Sequence, residues 1–301
     1  MWFRNLQIFR LASAGQTNPE AVHEQLLRQA FQPCGSQDMK SRGWIPPRSG
    51  DRLVHSVGGH WLLALGAEQK LLPASVVNQT TQSRAATIEE AQGYRPGRKQ
   101  MAELKDQIVM ELLPRAFSRY NTTWLWIAPK EGWLCIDAAN AAKADEVLEV
   151  LAKSVDDLPL TRLNTELSPV SAMADWLAAD EAPANFSIDR ECELKAPGEE
   201  KSIVRYVRHA LDGEEIRAHL AGGKQPTRLA LTFDDKVSFV LTEKLEVKRL
   251  AFLDIIKEEA ERQAENADEI FDAEFALMSG ELLRLLPALV DALGGEQKDG
   301  I

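Results

Sequence analysis

Apolar and polar positions change rhythm several times along this chain. Phe3 to Leu11 is dense in apolar residues and reads as a strand. Asn18-Pro19 sets a capping residue before a proline at the first helical position, and Val22, Leu26 and Ala30 recur on one face, which predicts a helix. Pro33-Cys34-Gly35-Ser36-Gln37 and Gly43-Trp44-Ile45-Pro46-Pro47 read as turn-rich breaks, and Trp61-Leu62-Leu63-Ala64-Leu65 as a buried strand. From about Ser75 to Leu113 the texture turns polar and rich in helix formers, interrupted by Gly93-Tyr94-Arg95-Pro96-Gly97. Two helices in an antiparallel hairpin are expected there, and their weak apolar face suits a projection better than a core element. Arg84, Arg95, Arg98, Lys99, Lys105 and Arg115 decorate that hairpin.

Pro114 stops the second helix. Thr122–Ala128 and Trp133–Asp137 then predict two strands around Pro129-Lys130-Glu131-Gly132. A helix follows, with Ala144, Val147, Leu148, Leu151 and Val155 on one face and Pro159 closing it. Further on, residues 170–179 look helical and Ser202–Leu211 extended, while Asp212-Gly213-Glu214-Glu215 resembles a capping box. Its short helix ends at Gly222-Gly223. A three-strand meander over about 228–233, 237–241 and 245–250 leads to an acidic helical region. There Phe271, Phe275, Met278, Leu282, Leu285, Leu289 and Leu293 keep helical spacing, Pro287 is expected to kink the helix and Gly294-Gly295 to stop it. The expected fold class is α+β, an elongated monomer of several modules. Residues 1–74 and 114–165 form a mixed central module, 75–113 the hairpin tip, and 166–301 a second α+β module with acidic C-terminal helices.

Charge complicates the picture. The 301 residues carry a formal net charge of −11, a balance that by itself repels nucleic acid. The distribution is uneven, however. Residues 1–125 hold 15 Lys and Arg against 10 Asp and Glu, and residues 201–249 hold 10 against 7, whereas 126–200 hold 6 against 16 and 250–301 hold 4 against 13. A polyanion could bind a surface that gathers the basic segments; equally, the blocks could be solvated faces. The 3 cysteines, Cys34, Cys135 and Cys192, are scattered, which speaks against a disulfide framework and a zinc site. The opening Met1-Trp2-Phe3-Arg4-Asn5 lacks the features of a signal peptide, and no run suits a membrane span, so the cytoplasm is the expected compartment.

Candidate chemistry is sparse. Gly222-Gly223-Lys224 has Ala218 and Gln225 where a phosphate loop needs a glycine and a hydroxyl, so no nucleotide cofactor is expected. A metal-dependent nuclease is the sharper rival, with Asp235 and Glu246-Val247-Lys248 as candidate ligands and helper lysine. In the predicted meander these fall at opposite ends of the middle strand, about 20 Å apart. Glu193-Leu194-Lys195 and Glu103-Leu104-Lys105 match that pattern as well. Cys34 with His55 or His60 as base has no supporting spacing.

Four ordered blocks carry a resemblance. They are Trp2-Phe3-Arg4-Asn5-Leu6; Phe31-Gln32-Pro33-Cys34-Gly35-Ser36-Gln37-Asp38-Met39 with Gly43-Trp44-Ile45-Pro46-Pro47; Leu112-Leu113-Pro114-Arg115-Ala116-Phe117-Ser118-Arg119; and Phe271-Asp272-Ala273-Glu274-Phe275 with Met278-Ser279-Gly280-Glu281-Leu282. Together they resemble the RdgC family of recombination-associated proteins, from residue 1 to about 296. The resemblance implies a ring-shaped homodimer with a positively lined hole. It implies binding of duplex DNA with little sequence preference, single strands less characteristically, and restraint of RecA-driven strand exchange. It implies a nucleoid location, no cofactor, no metal and no catalysis. Phe117 matches a dimer-interface phenylalanine. Arg208 and His209 match a DNA-facing finger where relatives tend to carry a lysine and a glutamine, and Lys224 matches another basic position. With the hairpin cations Arg84, Arg95, Arg98 and Lys99, and with Arg115 and Arg119, these make up the expected DNA surface. The competing expectations are the nuclease and a module that acts on RecA without touching DNA.

Overall fold

The computed structural model describes residues 1–12, 18–156, 158–198, 201–254, 256, 258 and 266–297. Local signals act first. The Asn18 side chain accepts from the Ala21 amide at 2.8 Å, and Pro19 opens helix α1 (Pro19–Leu26), which buries Val22 and Leu26. Seven strands then build one antiparallel sheet: β1 (Gln7–Leu11), β2 (Lys40–Ile45), β3 (His55–Val57), β4 (His60–Leu71), β5 (Phe117–Ala128), β6 (Trp133–Ile136) and β7 (Leu160–Arg162). Their order is β2-β4-β5-β6-β1-β7, with β3 also on β4.

β4 is buried without interruption from Trp61 to Glu68 because both faces of this sheet are covered. Phe9, Leu63, Leu65, Leu125, Ile127 and Leu134 pack with α1 and with α4 (Ala141–Ser154). Ile8, Leu62, Trp126 and Cys135 face the other way and join a larger core. Between β4 and β5 the chain forms α2 (Ala74–Gln92) and α3 (Arg98–Leu112). Gly93, at φ 81°, supplies the left-handed cap of α2 that a side chain would resist. Val77, Ala85, Leu104 and Ile108 of α2 and α3 form a small apolar cluster of their own.

The second sheet has five strands: β8 (Phe186–Lys195), β9 (Ile203–Val207), β10 (Gln225–Phe233), β11 (Val237–Thr242) and β12 (Val247–Phe252), in the order β12-β11-β10-β8-β9. Its apolar face shares the larger core with α5 (Pro169–Ala179), α6 (Glu214–Ala221) and the long α7 (Ala267–Ala292). Phe275, Met278, Leu282, Leu285 and Leu289 of α7 are buried there. Leu6 and Val247 exchange backbone hydrogen bonds of 2.8 and 3.2 Å, joining the N-terminal segment to β12. The protein is thus mixed α and β with two antiparallel sheets. Among the described residues, no helix is long and apolar enough to cross a membrane.

Some local expectations need correction. Gly43-Trp44-Ile45 is not a break but part of β2. Trp44 is buried and donates its indole N–H to Ser154 Oγ at 2.7 Å, while a Cβ on Gly43 would collide with the Phe31 backbone. The first strand starts at Gln7 rather than Phe3, and Ala30 lies beyond α1 in a bridge to Trp44. α6 is capped by Gly213, which has no side chain to complete a capping box. β8 was not foreseen at all.

Candidate nucleic-acid interface

The cations at and around α2 and α3 differ in how free they are. Arg84 on α2 donates to Glu111 on α3 at 2.8 Å, and these two groups hold each other charged. Arg95 lies in the turn between the helices, Arg98 and Lys99 begin α3, Arg115 follows it in a 3-10 turn, and Arg119 sits on β5 opposite Gln69. All five are exposed, and none makes an ion pair among the described residues. Lys40, Arg42, Lys143 and Lys153, by contrast, all bridge to Glu146 or Glu149.

Phe117 begins β5, paired with Leu71 at the outer end of the β4–β5 ribbon, and is 84% exposed. It is therefore not a core aromatic behind a helix stop. Tyr120 and Leu71 nearby are also exposed. Glu68 of β4 braces this end. Its carboxylate takes the Cys34 amide at 2.7 Å, tying the Pro33–Gln37 loop to the ribbon. A hydrogen bond from Ser118, that Cys34 amide and a hydrogen bond from Tyr120 hold Glu68 below the usual carboxylate range. Burial and the nearby Glu68 push the Cys34 thiol up, the wrong direction for a nucleophile.

Arg208 and His209 follow β9. Arg208 adopts the left-handed region, at φ 54°, and the His209 amide donates to the Arg190 carbonyl at 3.1 Å. Lys224 follows α6, where Gly223, at φ 85°, turns the chain after the helix stop. Its amide donates to His219 O at 3.0 Å, and its Nζ lies 3.3 Å from His219 Nδ1. The Tyr206 ring lies 5.4 Å from that of His209 and 6.3 Å from that of His219. The fold thus gathers His209 and Lys224 around Tyr206 and His219, two residues the sequence reading did not select. The aromatic within the basic run Arg205-Tyr206-Val207-Arg208-His209 was the available signal. No hydrogen bond, ion pair or ring contact joins this group to the α2–α3 cations among the described residues.

The rival chemistries find no shared site. Asp235 lies in the turn before β11 and Glu246 beyond its far end, so the six-residue strand separates them by about 20 Å. Glu246 is already engaged, by Gln7 Nε2 at 3.0 Å and Lys248 Nζ at 2.9 Å. Cys34 contacts Glu68, eight positions along β4 from His60, or about 26 Å. Among the described residues no group of three or more His, Cys, Asp and Glu side chains could hold a metal ion.

Known proteins agree with one another. Residues 1–296 match the family described as "RdgC: Putative exonuclease, RdgC". The chain is 58% identical over 299 residues to the recombination-associated protein RdgC of Dechloromonas aromatica, covering 98% of each. It is 53% identical over 296 residues to that of a Janthinobacterium species, covering 98% of this chain and 99% of the relative. It is 54% identical over 297 residues to that of Herminiimonas arsenicoxydans, covering 99% of each. Full-length coverage at such identity leaves no room for a shared fragment alone: the chain belongs to the RdgC family of recombination-associated proteins.

Proposed function

We propose that this protein binds duplex DNA without catalysis and with little sequence preference, encircling it as a ring-shaped homodimer and restraining RecA-driven strand exchange. The observation that carries this reading is a set of exposed cations that make no ion pair among the described residues. Arg95, Arg98, Lys99, Arg115, Arg119 and Arg208 are exposed and make no ion pair among the described residues, on a chain whose net charge is −11. Unpaired cations on an acidic protein suit a polyanion. Flexible Lys and Arg side chains meeting phosphates give position without base information. In this reading residues 75–113 form a projecting hairpin tip, residues 1–74 with 114–165 the central module, and 166–301 the second module. Phe117 is the apolar anchor between subunits. Single strands bind more weakly, no nucleotide or metal is required, and the protein works at the nucleoid.

The family description raises an exonuclease. The distance between Asp235 and Glu246, and the occupied Glu246 carboxylate, favour binding alone. A gel shift with plain duplex, without ATP or magnesium, followed by adding magnesium, separates the readings. A shift without cleavage is expected. Metal-dependent cutting would establish the nuclease, and the absence of any shift would leave a module that acts on RecA directly.

A further inference from the structure

The Tyr206 group has a polar arrangement that a simple patch of cations would not need. Lys224 Nζ lies 3.3 Å from His219 Nδ1. An ammonium has only donors, so this contact requires a lone pair on Nδ1 and places the His219 proton on Nε2. His209 Nδ1 lies 2.7 Å from the Ala210 carbonyl, an acceptor, so Nδ1 carries the proton there. In both rings the remaining change available is gain of a second proton.

We propose that Tyr206, His209, His219 and Lys224 form one phosphate-binding cluster whose two imidazoles take up protons as nucleic acid binds. The proposal rests on the DNA-binding reading. Protonating His219 removes the lone pair that Lys224 uses and sets two cations side by side. A phosphate oxygen between them turns that repulsion into two charge-assisted hydrogen bonds. Protonating His209 keeps its bond to Ala210 and makes Nε2 a second donor. The proton comes from solvent, and no bond other than N–H forms.

The neighbouring charges fit this arrangement. Glu215 of α6 places Oε1 4.0 Å from His209 Nδ1. Glu191 of β8 is engaged by Arg249 at 2.6 Å, and Arg205 of β9 by Glu193. Cys192 of β8 and Lys224 are the other titratable neighbours of the Tyr206 ring and His219, and Arg208 flanks His209. Burial, then Glu215 and Cys192, push the Tyr206 phenol up, so its hydroxyl remains a donor.

The test is fluorescence anisotropy of the full chain with a labelled plain duplex, at fixed ionic strength, between about pH 6 and about pH 8, where imidazoles change charge. Affinity is expected to tighten roughly fivefold toward the acid end, and His209→Asn with His219→Asn to flatten that slope. Calorimetry of the unaltered protein, in buffers of different ionisation heat, should show net proton uptake on binding. This second measurement stands even if the double variant folds poorly. Binding that is equally tight across the range, with no proton uptake, overturns the cluster while leaving DNA binding intact. No binding at any pH overturns the DNA-binding reading itself.

Discussion

The α2–α3 pair and the face formed by β2 and α4 are both rich in cations and treat them in opposite ways. On the β2–α4 face, Lys40, Arg42, Lys143 and Lys153 are held by Glu146 and Glu149. Burial pushes Glu146 up, but the hydrogen bonds and charges of Lys40 and Lys143 outweigh it and hold this carboxyl below the usual range. Around α2 and α3, Arg84 alone is held in an ion pair among the described residues, by Glu111. The same residue types are therefore tied to carboxylates in one region and, among the described residues, mostly left without an ion pair in the other. Net charge per segment does not reveal this, because the sum is the same whether a cation is held by a carboxylate or extends freely into solvent.

The comparison can be broken first at Phe117, where the largest effect is expected. A buried aromatic anchor at an interface is worth about 2 kcal/mol or more, roughly thirtyfold in Kd. Phe117→Ser should therefore weaken self-association and duplex retention together. Sedimentation across a concentration series, alongside gel shifts, reads both. A variant that stays dimeric and binds normally removes Phe117 from the interface. Next comes the pair Arg98→Ala with Lys99→Ala. Each lost phosphate contact should flatten the dependence of log affinity on log salt by about 0.9. Lys40→Ala with Lys143→Ala removes as much charge from the β2–α4 face and should leave the slope alone. Equal changes from the two pairs would mean that pairing does not select the DNA surface.

A gentler change acts in the opposite direction. Glu111→Gln frees Arg84 without touching a cation, so duplex affinity should rise and the salt slope steepen by up to about 0.9. The paired surface groups are screened, so little stability should be lost. An unchanged slope would place Arg84 away from the DNA whatever its pairing.

These contrasts explain what could be read from the chain beforehand. The uninterrupted run around Trp61–Leu65 announced β4, because a strand buried on both faces needs no polar alternation. The helical spacing from Phe275 to Leu289 announced α7 in the same way. Gly43-Trp44-Ile45 misled because glycine beside a proline pair looks like a turn. Its actual cause is long-range, the close approach of the Phe31 backbone. β8 escaped notice because Glu193 interrupts it, and that buried carboxylate is tolerated through Arg205 on one neighbouring strand and Thr227 on the other. The site cations were all visible as residues. Their state was not, since Arg84 and Glu111 are 27 positions apart and meet only once α2 and α3 pack.

The histidines sharpen the comparison with the smallest expected effect. His209 is exposed, whereas His55 is largely buried on β3, edge-on to Phe271 and tilted against Phe275, with Nε2 2.9 Å from Asp272. Burial lowers the His55 pKa more than Asp272 raises it. The folded chain consequently binds fewer protons at this position than the unfolded chain, and stability rises with pH. That contribution is present above the unfolded value near 6.5 and is lost as pH falls below it. Acidification from about pH 7.5 to about pH 5.5 should thus lower Tm, and His55→Gln should remove roughly 1–3 °C of that fall. His209→Gln changes an exposed side chain and serves as the control, expected to leave the acid sensitivity of Tm as it is. Thermal melts of the two variants at both pH values decide the matter. If His209→Gln flattens the profile and His55→Gln does not, the junction between β3 and α7 is not where folding senses acid.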